Sequence, residues 1–272
     1  MNLITVDDEN CTACGKCVDE CPSDVLALEK DGPFVVLAEN CIACGHCVAV
    51  CPNKAIDNVR SPLDMQVEMA EFNKINPEEA EFFLRSRRSI RSYKQKPVSR
   101  EKLLKLVEIA NYAPTGSNTQ GVSYVIVDNK DILKKASDLT MDYLENSPSI
   151  RPALRKILTP LIGKYHETGE DSVLRSAPAL VVATANKNFT QGRINSISCL
   201  TYLELFAPYL DLGSCWAGLF EHCAMGENSP MLKLLSISND KLITGAVMVG
   251  YPKYQYQRLI ERNPVDVKFF GD

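Results

Sequence analysis

"CTACGKCVDECP" at residues 11–22 and "CIACGHCVAVCP" at residues 41–52 are one motif written twice, each reading C-x2-C-x2-C-x3-C-P. Three thiolates at this spacing, on a loop eased by Gly15 or Gly45, bend around one iron–sulfur cubane. The fourth cysteine is carried onward by the start of a helix and points to the other cluster. The spacing therefore predicts two [4Fe–4S] clusters, with Cys11, Cys14, Cys17 and Cys51 around cluster 1 and Cys41, Cys44, Cys47 and Cys21 around cluster 2. Pro22 and Pro52 lack an N–H and fix φ, which suits the turn after each fourth ligand. Zinc sites usually pair two cysteines with a distant second pair and need no Cys-Pro repeated in this way. Disulfides are disfavoured in a chain that reads as cytoplasmic. His46 lies inside the second block at a position the motif does not use. A domain this small has a modest core, and cluster ligation supplies folding free energy that the core lacks.

Charge separates this segment from the rest of the chain. Over all 272 residues the formal charge is −4, yet residues 1–60 hold ten acids against four bases, a balance of −6, leaving +2 for the remainder. The net charge of −4 argues against nucleic acid as the main partner, and an acidic module on a slightly basic body is a reason to treat the two separately. No apolar run reaches the ~20 residues that span a bilayer, so no membrane partner is expected. The opening "MNLITVDDEN" lacks the basic start and cleavage site of a secretory signal, and the expected location is cytoplasmic. With 45% hydrophobic residues there is ample material for a core. Three regions are expected: a two-cluster domain over 1–60, a connector over 61–76 bounded by Ser61-Pro62 and Asn76-Pro77, and a larger domain over 77–272.

The larger domain reads as α+β, with a central sheet flanked by helices. A helix is expected from Pro77, with Ala80, Phe82 and Phe83 on its apolar side. A second starts at the N-cap Ser99, with Leu103, Leu104, Val107 and Ala110 facing the core. Strands are predicted at "VSYVIVD" (122–128), "PALVVATA" (178–185) and "GAVMVGY" (245–251), with helical stretches near 129–146, 149–169, 193–211 and 227–237. Neither G-x-G-x-x-G nor a Walker loop occurs, so no Rossmann site for a dinucleotide is recognised. In "RSRRSIR", Arg87, Arg88 and Ser89 have the chemistry to grip a phosphate through charge-assisted hydrogen bonds. A solvated basic helix end explains the same residues.

Two resemblances sharpen this reading. Residues 1 to about 60 resemble the bacterial two-cluster ferredoxins. Residues 78–272 resemble the FMN-dependent nitroreductase family through four stretches in order: "RRSIRSY", "APTGSNTQ", "LGSCWAGLF" and "GYPKYQYQRLIERNP". The whole resembles a ferredoxin–nitroreductase fusion. The resemblance implies that Arg87, Arg88, Ser89 and Arg262 bind the FMN phosphate, and that Arg91 reaches the ribityl chain or the pyrimidine edge. It further implies that Asn118 bonds the ring with Ser117 and Gln120 nearby, and that the backbone of Trp216, Ala217 and Gly218 passes the flavin N5 edge. FMN at a homodimer interface is implied as well. The chain departs from many relatives at Gly121-Val122, where they have Pro-Trp, and at Ala217, where some have Glu. Both changes bear on the substrate pocket. Arg258 is a lesser candidate for the phosphate.

Outside the matched motifs, Cys199 reads as core. Cys215, beside Trp216, reads as packing with a reactive thiol as the alternative. His166 reads as structural, and His222 is a weak candidate proton donor. No other catalytic side chain is expected, the flavin being the reactive group. The leading expectation is an oxidoreductase passing electrons from a ferredoxin or other redox-protein donor, through two clusters, to FMN and a small organic acceptor. A nitro compound is the acceptor the family implies. One rival has NAD(P)H reducing FMN directly, with the clusters as outlet or store. The other is a non-catalytic electron carrier or redox sensor.

Overall fold

The computed structural model describes residues 2–69 and 74–271; of the expected connector, residues 70–73 lie outside them. The chain divides into two compact units. One runs to Lys74 and includes Gly116–Thr119; the other comprises Ile75–Thr115 and the chain from Gln120 onward.

In the first unit the two cysteine blocks share one plan. Strand β1 (Ile4–Val6) leads to the first block, whose one-turn helix α1 (Lys16–Asp19) starts after Gly15. A hairpin of β2 (Leu26–Glu29) and β3 (Gly32–Val35) comes next. The second block carries helix α2 (His46–Ala49), and β4 (Ile56–Asn58) returns antiparallel to β1, with Ile4 opposite Asn58. Gly15 and Gly45 both sit in the left-handed region, at φ 77° and 74°, where a Cβ is disfavoured. The small core consists of Leu3, Ile4, Cys17, Val25, Leu26 and Ile56.

The second unit is built on one antiparallel sheet. Its helices and strands, in chain order, are α3 (Pro77–Ser86), α4 (Arg100–Ala110), β5 (Val122–Val127), α5 (Lys130–Asn146), α6 (Pro152–Thr168), β6 (Ala179–Asn186), α7 (Gly192–Phe206), β7 (Gly213–Trp216), α8 (Gly218–Ala224), α9 (Pro230–Leu234) and β8 (Lys241–Gly250). The sheet order is β5-β6-β8-β7. Both faces are covered, which is why the central strands read as unbroken apolar runs. Leu180, Val182, Ala246 and Met248 enter the core shared with α5, α6, α8 and α9, whereas Val181, Ala183, Val247 and Val249 enter the core shared with α4 and α7.

Local signals set the helix starts. Asn76 and Glu79 form a capping box ahead of α3, with Pro77 in its first turn. The Ser99 side chain accepts from Lys102 N–H, and that of Asn129 from Asp131 and Ile132 N–H; such caps satisfy donors the helix itself leaves open.

Several expectations change. On α4 the inward side chains are Leu103, Leu106 and Ala110, while Leu104 is 55% exposed. The core face thus takes the spacing i, i+3, i+7. Of the expected apolar side of α3, Phe82 is exposed, whereas Ala80 and Phe83 are half-buried and Phe83 packs against Tyr209. Strand β5 lies at the sheet edge and is only half-buried along its middle. The stretch 207–210 is a 3-10 turn rather than the end of α7. Strand β8 begins at Lys241, ahead of the expected start.

The α4 register is tested directly by truncation. Leu106→Ala should lower unfolding stability by ~2–5 kcal/mol, the usual range for emptying a buried leucine site. Leu104→Ala should cost less than ~1 kcal/mol, as exposed positions do. Denaturant midpoints of the two variants should separate accordingly.

Candidate functional site

The eight cysteines of the repeated motif sort into two separate hollows. One, of about 370 Å³, is lined by Cys11, Cys14, Cys17 and Cys51. The other, of about 360 Å³, is lined by Cys21, Cys41, Cys44 and Cys47. The fourth cysteine of each block therefore faces the hollow of the other. The repeat also reproduces a backbone hydrogen bond to sulfur: Val25 N–H donates to Cys21 Sγ at 3.4 Å and Ala55 N–H to Cys51 Sγ at 3.2 Å. Burial pushes the Cys17 thiol up to about 11 and that of Cys47 upward, so their thiolates need a cation close by. Among the described residues no three His, Cys, Asp or Glu converge on a single ion. Four sulfurs spread around a hollow suit a multi-iron group instead. His46 is exposed on α2 and does not line either hollow.

In the second unit, the segment after α3 runs beside the free edge of β7. Ser89 bridges Ser214 in parallel register, and Ile90 N–H donates to Ser214 O at 2.8 Å. Arg87 and Arg88 lie just before that bridge. The Arg88 guanidinium donates through Nη1 to the carbonyls of Arg85 and Arg87, at 2.9 and 3.0 Å. Its Nε and Nη2 are buried and have no partner. Buried donors of this kind are normally satisfied, and an anion such as a phosphate fits them. Arg87 lies 3.8 Å from Glu204 Oε1, whose carboxyl burial pushes upward and which also accepts from Ser214 Oγ at 3.2 Å.

Trp216, Ala217 and Gly218 form the step from β7 into α8, and the step is tightly held. Ala217 N–H donates to Ala246 O at 2.9 Å. Glu221, buried on α8, receives both Nη atoms of Arg193 at 3.1 and 3.0 Å and Ala246 N–H at 3.1 Å. The Arg193 guanidinium also lies over the Trp216 ring, 5.3 Å from its centroid. A Cβ built on Gly218 would have Trp216 Cδ1 at 3.9 Å, so a side chain there would not be crowded. Glu204 and the Arg193–Glu221 pair escape sequence reasoning, since their partners are far away in the chain and belong to no motif.

The other expected residues divide between the two units. Ser117 and Asn118 fall within the first, where Asn118 Nδ2 donates to the carbonyls of Ile42 and Ala43, both at 3.0 Å. The donor half of that amide is thus engaged by the second cysteine block. Ser117, Asn118 and Gln120 all have positive φ, and Gln120 N–H donates to Thr115 Oγ1 at 3.1 Å. Arg262 and Arg258 are exposed beyond β8; Glu261, next to Arg262, pairs with Arg85 at the end of α3. Cys215 is buried, and burial pushes its thiol upward despite Arg91 and Ser89. Cys199 is buried in the core. His222 is exposed on α8, and His166 pairs with Glu145 at 3.0 Å.

The sequence profile of the Nitroreductase family matches residues 84–251, and that of the 4Fe-4S dicluster domain matches residues 3–52. The chain belongs to the nitroreductase family. With its iron–sulfur domain in front, this nitroreductase is a ferredoxin–nitroreductase fusion and an FMN oxidoreductase. It is 26% identical over 168 residues to a protein of Archaeoglobus fulgidus carrying the name NADH dehydrogenase/NAD(P)H nitroreductase, a match covering 62% of this chain and 82% of that one. Two solved structures share the fold. A Bacteroides fragilis nitroreductase with bound FMN superposes with a TM-score of 0.57 at 18% identity, covering 72% of this chain and 100% of its own. A Desulfitobacterium hafniense nitroreductase with bound FMN gives 0.55 at 18% identity, with the same coverage. No helix among the described residues is long and apolar enough to cross a membrane.

Gly213 is where β7, the 87–91 segment and the chain after β8 meet, since a Cβ there would come within 2.9 Å of both Ile90 Cβ and Pro252 Cγ. Gly213→Ala should therefore displace the 87–91 segment, at the ~1–3 kcal/mol typical of overpacking. Thermal unfolding and the flavin-to-protein ratio of the purified variant should both fall.

Proposed function

We propose that this nitroreductase takes electrons from a ferredoxin-like donor through two [4Fe–4S] clusters to FMN and on to a small organic acceptor, with a nitro compound as the leading class. In this reading Cys11, Cys14, Cys17 and Cys51 hold one cluster and Cys21, Cys41, Cys44 and Cys47 the other. The observation that carries it is the sorting of eight thiols into two four-sulfur hollows. The clusters supply single electrons, and FMN exchanges one or two and delivers a pair to the acceptor.

The chain's own groups hold and tune these cofactors. Arg88 gives its two unpartnered N–H groups to the FMN phosphate, with Arg87, Ser89 and Arg262 completing the grip. Glu204 neutralises part of the Arg87 charge and keeps that guanidinium in place. Arg91 would reach the ribityl chain or the pyrimidine edge, and at the latter a cation favours reduced flavin. The step at Trp216, Ala217 and Gly218 passes the N5 edge, braced by Arg193 and Glu221. Ser117, Asn118 and Gln120 complete the ring contacts, and the protein works as a homodimer. Gly121-Val122 and Ala217 set the shape of the acceptor pocket.

The name of the Archaeoglobus relative favours a second reading in which NAD(P)H reduces FMN directly and the clusters serve as outlet or store. An anaerobic absorbance titration separates the two. Bleaching of the flavin by reduced ferredoxin and not by NADH or NADPH supports the first reading, whereas immediate bleaching by a nicotinamide supports the second. The absence of a flavin band after reconstitution with FMN would sink both. Cys14→Ala should abolish most ferredoxin-driven turnover while leaving FMN bound. Arg88→Met, by removing a charge-assisted contact of ~1.5–3 kcal/mol, should weaken FMN retention about ten- to a hundredfold, read by equilibrium dialysis.

A further inference from the structure

The geometry points to Asn58 as a tuning residue that distinguishes the two cluster sites: its amide raises the reduction potential of the cluster held by Cys21, Cys41, Cys44 and Cys47 relative to its counterpart. The inference rests on the reading of those cysteines as [4Fe–4S] ligands. Asn58 ends β4 and is 4% exposed. Its Nδ2 lies 3.7 Å from Cys47 Sγ and 3.9 Å from Cys41 Sγ. The orientation of the amide is fixed by its other atom, because Oδ1 accepts the Arg60 N–H at 2.9 Å, leaving the NH2 group to face the sulfurs. Asp57 locks the same turn, its Oδ1 accepting from both Asn58 N–H and Leu63 N–H at 2.8 Å. Arg60 Nη1 donates to Cys41 O at 2.8 Å and adds a positive charge on that side.

The internal repeat acts as a control. Both sites receive the same backbone bond, from Val25 to Cys21 and from Ala55 to Cys51. The side chains of the turn are not shared: Asp57, Asn58 and Arg60 correspond to Ala27, Leu28 and Lys30. Leu28 is exposed and has no side-chain N–H to offer. Thr12 does face Cys14, but both are exposed, so water competes for that contact. A buried N–H aimed at ligand sulfur favours the added negative charge of the reduced cluster, and the potential rises. An electron shared between the two sites then resides preferentially on the Asn58 side.

The test is an EPR-monitored redox titration of the full-length holoprotein, with iron counted in the same samples. Asn58→Leu installs the residue of the other repeat. Asn58→Asp keeps the shape and the bond from Arg60 while replacing the donor by a charge. In both, the reduced-to-oxidised ratio of one cluster at a fixed potential should fall about tenfold, equivalent to ~59 mV for a one-electron couple. The other cluster should be unmoved. Unchanged potentials in both variants, or equal shifts of both clusters, would overturn the inference while leaving the ligand reading intact. A wild-type iron content well short of the roughly eight expected for two cubanes would overturn both together.

Discussion

Burying thiols without burying their charge alone is the constraint on which the first unit depends. Its apolar core is small, and one of the residues buried in it, Cys17, is itself a cysteine. Around that core the backbone turns through positive φ at Gly15 and Gly45, and the eight cysteines line two hollows. Desolvation works against ionised Cys17 and Cys47, and a cationic centre among the sulfurs would offset that cost. Metal binding and folding are then one equilibrium, and the crossing of Cys21 and Cys51 between blocks makes each hollow depend on both halves of the repeat.

The second unit obeys a different constraint, the hydrogen-bonding capacity of an exposed strand edge. Strand β7 is only four residues long and lies at one end of the sheet order. Its outer side is occupied by the segment carrying Arg87, Arg88 and Ser89, through the bond from Ile90 to Ser214. Two stretches well separated in sequence are thus placed side by side by a single ladder contact. Tyr93 strengthens the arrangement by donating to Ile90 O at 2.6 Å and by bridging Pro252. The step into α8 is held from beneath by Glu221, which takes up Ala246 N–H just where the β7–β8 ladder ends. The polar groups of the site are therefore positioned by the sheet rather than by mobile loops.

How much the sequence disclosed depends on the range of the interactions concerned. The cysteine blocks were legible because their spacing is short and repeated, and the helix starts at Asn76, Ser99 and Asn129 because a cap is a local bond. The central strands were legible as apolar runs. Strand β7 was not, since "GSCW" has too few residues for a pattern and its pairing with β8 is tertiary. The inward choice of Leu106 over Leu104 needed the packing partners of α4. Glu204 and the Arg193–Glu221 pair needed the fold itself, since only their distant partners explain them. The motif resemblance named Arg88 for the phosphate, while its two open N–H groups are a feature only coordinates provide.

A repeat also shows what it has not preserved. Backbone geometry common to both blocks delivers one N–H to Cys21 and one to Cys51, so this pair of main-chain donors does not distinguish the sites. Side chains do, and a clear divergence falls where the chain leaves the second block. There Asp57 orders the turn, Asn58 faces two sulfurs and Arg60 fixes the amide and reaches Cys41 O. The corresponding Ala27, Leu28 and Lys30 have neither a carboxylate nor an amide with which to build the same turn. Electron transfer between two matched centres has no preferred resting place, whereas a buried donor at one of them creates a preference without altering a ligand. The asymmetry therefore lies in three residues beside the motif, and the eight cysteines are free to remain alike.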